Sequence, residues 1–67
     1  MNVVTENANR IYDYIKEHPG CNRTQIEMAL DILNTEFVEA RVILRGKVIS
    51  KQVKGELQHR FYLAEDE

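Results

Sequence analysis

A chain of 67 residues, 43% apolar and with a net charge of -2, fits one small globular domain, 1–67, and excludes a disordered or collagen-like polymer. Its lone cysteine, Cys21, excludes an internal disulfide and suits a reducing compartment. No apolar run approaches the ~20 residues a membrane helix needs. The first ten residues lack the basic and apolar blocks of a secretory leader, so a cytoplasmic protein with no membrane partner is expected.

Thr5 to His18 reads as the first helix. Thr5 is the expected N-cap, with Glu6 near the positive end of the helix dipole. Val4, Ala8, Ile11 and Ile15 form one apolar stripe at helical spacing. His18 falls in the last turn, and Pro19-Gly20 ends the helix. Cys21 is then expected in a very short extended piece.

Asn22-Arg23-Thr24-Gln25 opens the second helix as a variant capping box, an Asn cap with Gln three residues on. Ile26, Ala29 and Leu30 supply its apolar stripe, with Met28 at the margin. Asp31-Ile32-Leu33 turns the chain, and Ile32 or Leu33 is expected to plug the space between helices. Asn34 is the expected N-cap of a third helix, Thr35 to Arg45, with Gly46 as its left-handed stop.

The third helix has two apolar stripes. Phe37, Ala40 and Leu44 lie on one, and Val38 and Val42 lie about 120° round. Arg41 and Arg45 project between them, with Glu36, Glu39 and Ile43 opposite. One clean buried face is missing. Either the helix is gripped from two sides, or its second stripe meets another molecule.

Lys47 to Gln52 and Leu57 to Leu63 read as two strands. Leu57, His59, Phe61 and Leu63 share one face by period two, with Gln58, Arg60 and Tyr62 on the other. Val48 is the expected inward residue of the earlier strand. Val53-Lys54-Gly55-Glu56 carries the turn, with Gly55 at positive φ. Ala64 to Glu67 is expected to fray.

Charge is distributed unevenly. Residues 1–40 carry Arg10, Lys16 and Arg23 against Glu6, Asp13, Glu17, Glu27, Asp31, Glu36 and Glu39. Residues 41–62 carry Arg41, Arg45, Lys47, Lys51, Lys54 and Arg60 against Glu56 alone. The basic block is where phosphate contacts are expected. Glu65, Asp66 and Glu67 add an acidic tail.

Two short helices joined by a tight turn commonly place the second against a nucleic acid. The whole order of elements resembles the winged helix-turn-helix family. The local carriers are His18-Pro19-Gly20, Gln25-Ile26-Glu27-Met28-Ala29-Leu30, Asn34-Thr35-Glu36, Gly46-Lys47-Val48-Ile49 and Arg60-Phe61-Tyr62-Leu63. The resemblance implies a mainly α, α+β fold, with three helices and a C-terminal two-stranded β-hairpin wing. It departs from the family where Val42, rather than a leucine, lies one turn before Gly46.

In that family the third helix reads DNA. The resemblance therefore implies a small transcriptional regulator of double-stranded DNA. Thr35 and Glu36 start the recognition helix near the groove, and Arg41 and Arg45 point to one side of it. Lys47, Lys51, Lys54 and Arg60 lie at the wing, while Arg23 and Thr24 sit at a helix N-terminus suited to phosphate. A domain making few phosphate contacts binds weakly, so a homodimer on a two-part site is expected. The acidic Glu36 and Glu39 support the alternative, a non-enzymatic module that binds a protein partner.

Nucleophile-elbow, phosphate-loop and dinucleotide glycine patterns are missing. His18, Cys21 and His59 give three potential metal ligands where structural zinc takes four. No enzyme activity, metal or cofactor is expected.

Overall fold

The computed structural model describes residues 3–64 as a mainly helical α+β arrangement. The elements are α1 (Val3–Glu17), β1 (Cys21–Asn22), α2 (Arg23–Leu30), α3 (Asn34–Ile43), β2 (Val48–Gln52) and β3 (His59–Leu63). The strands form one antiparallel sheet in the order β1-β3-β2. The sheet has three strands where two were expected. Cys21 and Asn22 pair with Phe61 and Arg60, so the short extended piece closes the free edge of β3. The expected tail at Glu65, Asp66 and Glu67 lies outside the described residues. Ala64 is held, because its amide donates to the Lys47 carbonyl at 2.9 Å.

Helix α1 packs on α3, α2 and β3. Its Ala8, Ile11 and Ile15 are buried, as their spacing predicts. They meet Ile26 of α2, Phe37, Ala40 and Leu44 at α3, and Phe61 and Leu63 of β3 in one core. The N-terminus of α1 differs from expectation: the helix already runs at Val3, so Thr5 lies within its first turn rather than capping it. At the other end Gly20 has φ +88°, and its amide donates to the Phe61 carbonyl at 2.9 Å. A Cβ on Gly20 would come 3.4 Å from the Tyr62 hydroxyl. That distance is an ordinary contact, so it is the left-handed backbone that calls for glycine here.

The start of α2 follows its sequence. Asn22 Oδ1 accepts from the Gln25 amide at 2.8 Å, and Gln25 Oε1 accepts from the Asn22 amide at 2.9 Å. Two amides that the helix cannot satisfy are thereby satisfied reciprocally. Asn22→Ala should cost about 1 kcal/mol and lower the thermal midpoint by about 4–8 °C, read by circular dichroism. The helix ends at Asp31 in the left-handed region, φ 54°. Arg10 of α1 donates to the Leu30 carbonyl at 2.7 Å, satisfying one acceptor at that end. Ile32 fills the space between helices, while Leu33 is 68% exposed. Ala29 and Met28 also face outward.

The N-cap of α3 is Leu33, one residue before the expected Asn34. The cause is Glu36, whose carboxylate accepts from the Leu33 amide at 2.8 Å. At the far end the helix stops at Ile43, and Gly46 adopts φ +88°. Phe37, Ala40 and Leu44 are buried; Val38 and Val42 are 52% and 60% exposed. The second apolar stripe therefore has no cover within the described residues.

Strands β2 and β3 pair from Val48↔Leu63 to Gln52↔His59. Val48, Phe61 and Leu63 face the core. Leu57 does not share their face as expected. It lies in the loop before β3 begins, fully in solvent. Gly55 takes φ +91° at the turn, where the Glu56 amide donates to the Val53 carbonyl.

Cys21 is buried against β3, and desolvation pushes its thiol above the ordinary value. The folded state favours the neutral thiol. Its contribution is complete below the ordinary thiol range and is lost as pH rises through the raised value. Iodoacetamide should therefore label native Cys21 slowly at mildly alkaline pH and rapidly in urea, as read by mass spectrometry.

Candidate functional site

Helix α3 and the sheet meet along a groove whose floor is aromatic. Phe37 and Phe61 pack edge to face, with ring centroids 5.8 Å apart. An arginine covers each ring. The Arg23 guanidinium lies 5.0 Å from the Phe37 centroid, and that of Arg41 lies 4.9 Å from Phe61. Such contacts contribute about 0.5–1 kcal/mol near a surface and fix the cation's position. Two depressions meet here. One, of about 350 Å³, runs along α3 past Val38, Val42 and Arg45 to Gly46 and Val48. The other, of about 310 Å³, runs along the hairpin past Ser50, Leu57, Gln58 and His59. Arg23, Phe37 and Arg41 line both.

The two arginines differ in availability. Arg23 Nε donates to Glu27 Oε2 at 3.1 Å, and its Nη2 reaches the Asn34 carbonyl at 3.5 Å. The Arg41 side chain makes no hydrogen bond or ion pair among the described residues and packs on the Phe61 ring. Its donors are held over that ring and meet no acceptor among the described residues. Arg45, two residues past the end of α3, also has no side-chain hydrogen bond or ion pair among the described residues.

Thr24 is exposed and tied to the hairpin loop by Gln58. Gln58 Nε2 donates to Thr24 Oγ1 at 2.8 Å, and Gln58 Oε1 lies 3.4 Å from the Thr24 amide. Two amides at the N-terminus of α2, those of Thr24 and Gln25, are thus engaged by Gln58 and Asn22. Glu36 bonds the Leu33 amide, so its charge sits at the positive end of α3. Thr35 is exposed on the first turn.

The remaining basic residues do not all join this groove. Lys51 and Arg60 are direct partners across β2 and β3, on the sheet face away from the core. Lys51 Nζ lies 5.4 Å from the Tyr62 ring centroid. Arg60 grips Glu56 with two bonds, of 2.9 and 3.1 Å, and donates from Nη1 to the Gly20 carbonyl at 3.0 Å. The hydrogen bond and charge of Glu56 raise the Arg60 guanidinium further above its ordinary value. Lys47 borders a separate depression with Ala8, Asn9, Tyr12 and Ile43. Lys54 is exposed at the hairpin tip.

His18 stacks on Tyr14 at 4.6 Å, Cys21 lies in the core, and His59 is exposed on the hairpin. The described residues contain no group of three or more His, Cys, Asp or Glu that could hold a metal. No described helix is long and apolar enough to cross a membrane. The sequence did not reveal that Gln58 and Phe61 help to shape this site. Each acts through partners at least 20 residues away, which periodicity cannot signal.

No family model, curated protein or solved structure matched the chain.

Proposed function

We propose that the chain is a winged helix-turn-helix protein that binds double-stranded DNA as a small cytoplasmic regulator of transcription, working as a homodimer. In this reading α2 and α3 form the helix-turn-helix, α3 is the recognition helix, and the β2–β3 hairpin is the wing. The carrying observation is the pair Arg41 and Arg45. Arg41 lies on α3 and Arg45 just past its end; both border the groove, and neither side chain has an internal hydrogen bond or ion pair among the described residues. A guanidinium held over a ring with open donors suits a phosphate or a guanine edge. Lys54 at the hairpin tip adds charge where a wing meets the backbone.

The acidic side chains weigh less against DNA than their count suggests. Glu36 accepts from the amide of Leu33, the N-cap of α3, while Glu27 and Glu56 pair with Arg23 and Arg60. The exposed Leu33, Val38 and Val42 favour a second reading, a module that docks on a protein partner.

Titrating labelled duplex DNA at several salt concentrations separates the two. DNA binding requires log affinity to fall linearly with log salt, with Lys54→Ala lowering the slope by about one. Absence of duplex binding at low salt, with a protein partner recovered by pull-down, would overturn the DNA reading.

A further inference from the structure

Val38 and Val42 stand one helical turn apart on α3 and are 52% and 60% exposed. Thr35, exposed on the first turn, continues their line at spacings of three and four. Valine lowers helix stability relative to alanine, because its branched side chain loses rotamer freedom. Here that local loss has little packing to offset it. The same stiffness holds the methyl groups in one orientation, so a contact made through them costs little further entropy.

The surroundings restrict what can cover this strip. Arg41 and Arg45 line the same depression as the two valines and have no internal ion pair among the described residues. An apolar partner surface would bury two unpaired guanidinium groups, which is strongly unfavourable. A second copy docked symmetrically here would set the arginines near their own counterparts. The major groove of DNA offers the complementary pattern: anionic phosphate walls and, at each thymine, an apolar C5-methyl group on the floor.

Resting on the DNA-binding reading above, we propose that Val38 and Val42 are specificity residues that read thymine methyl groups in the major groove, while Arg41 and Arg45 hold the flanking phosphates. The preferred site is accordingly rich in A·T pairs.

Replacing thymine by uracil removes this methyl group and keeps every Watson–Crick bond. Fluorescence anisotropy with the full chain compares a short A·T duplex with the same duplex carrying uracil for thymine. The thymine duplex should bind about fourfold more tightly for each methyl contacted. In V38A/V42A, affinity for the thymine duplex should fall to that for the uracil duplex. Alanine raises helix propensity at these exposed sites, so the variant keeps its fold. Equal binding of both duplexes by the parent chain, or a thymine preference that survives in V38A/V42A, overturns the proposal while leaving DNA binding in place. Failure to bind either duplex at low salt removes the DNA-binding reading and this proposal with it.

Discussion

Phe61→Ala should leave much of the chain unfolded at physiological temperature. Phe61 is 3% exposed on the central strand and is the pairing partner of both Cys21 and Ser50. Its ring meets Phe37 at its edge and carries Arg41 over its face. Truncating a buried phenylalanine costs about 3–5 kcal/mol. A chain of this length has a total stability on the order of 3–10 kcal/mol. The loss is therefore comparable to everything that holds the fold. Thermal unfolding followed by circular dichroism should show a midpoint at least ~12 °C lower. A shift of a few degrees would mean that neighbouring side chains collapse into the space. Val38→Ala is the control: it lies on the helix that carries Phe37 but faces solvent, and should stay within about 0.5 kcal/mol. Phe61→Leu keeps most of the apolar volume while removing the ring beneath Arg41, which links the core to the groove.

Local signals were legible in the sequence. The Asn22 and Gln25 box closes within one turn, so its spacing carries the whole geometry. The stripe of Ala8, Ile11 and Ile15 and the left-handed Gly46 are equally local. What escaped was non-local or in competition. Two residues, Cys21 and Asn22, have no periodicity, and their pairing partners lie about 40 residues on. Leu57 fits the alternation of β3, but alternation does not say where pairing begins. Asn34 and Leu33 competed for the N-cap, and the reach of Glu36 decided it. Arg60 counted as one more wing cation, although Glu56, four residues before it, was in view. Helical spacing gave no warning that a hairpin would bring the two together. The candidate site was thus legible as a set of charges. Which of them remain open depends on contacts between distant elements.

Arg41→Ala with Arg45→Ala should weaken duplex binding more than any other exposed pair. If each guanidinium meets one phosphate, the slope of log affinity against log salt falls by about 0.9 for each, or by about two for the pair. A hydrogen bond to a charged group contributes about 1.5–3 kcal/mol, so affinity at low salt should drop at least tenfold for each arginine. Lys16→Ala, on the last turn of α1, should leave the slope unchanged if α3 and the hairpin carry the interface. Arg60→Ala gives a different signature. It breaks the bonds to Glu56 and the Gly20 carbonyl, so its effect should appear first in the thermal midpoint. An unchanged slope in the double variant would place the phosphate contacts elsewhere and remove the main support for the groove. Arg41→Lys then separates charge from geometry. Lysine keeps the ion and therefore the slope, but loses the planar group that lies over Phe61. If Phe61 aids binding by fixing where the Arg41 donors point, affinity should fall while the slope holds.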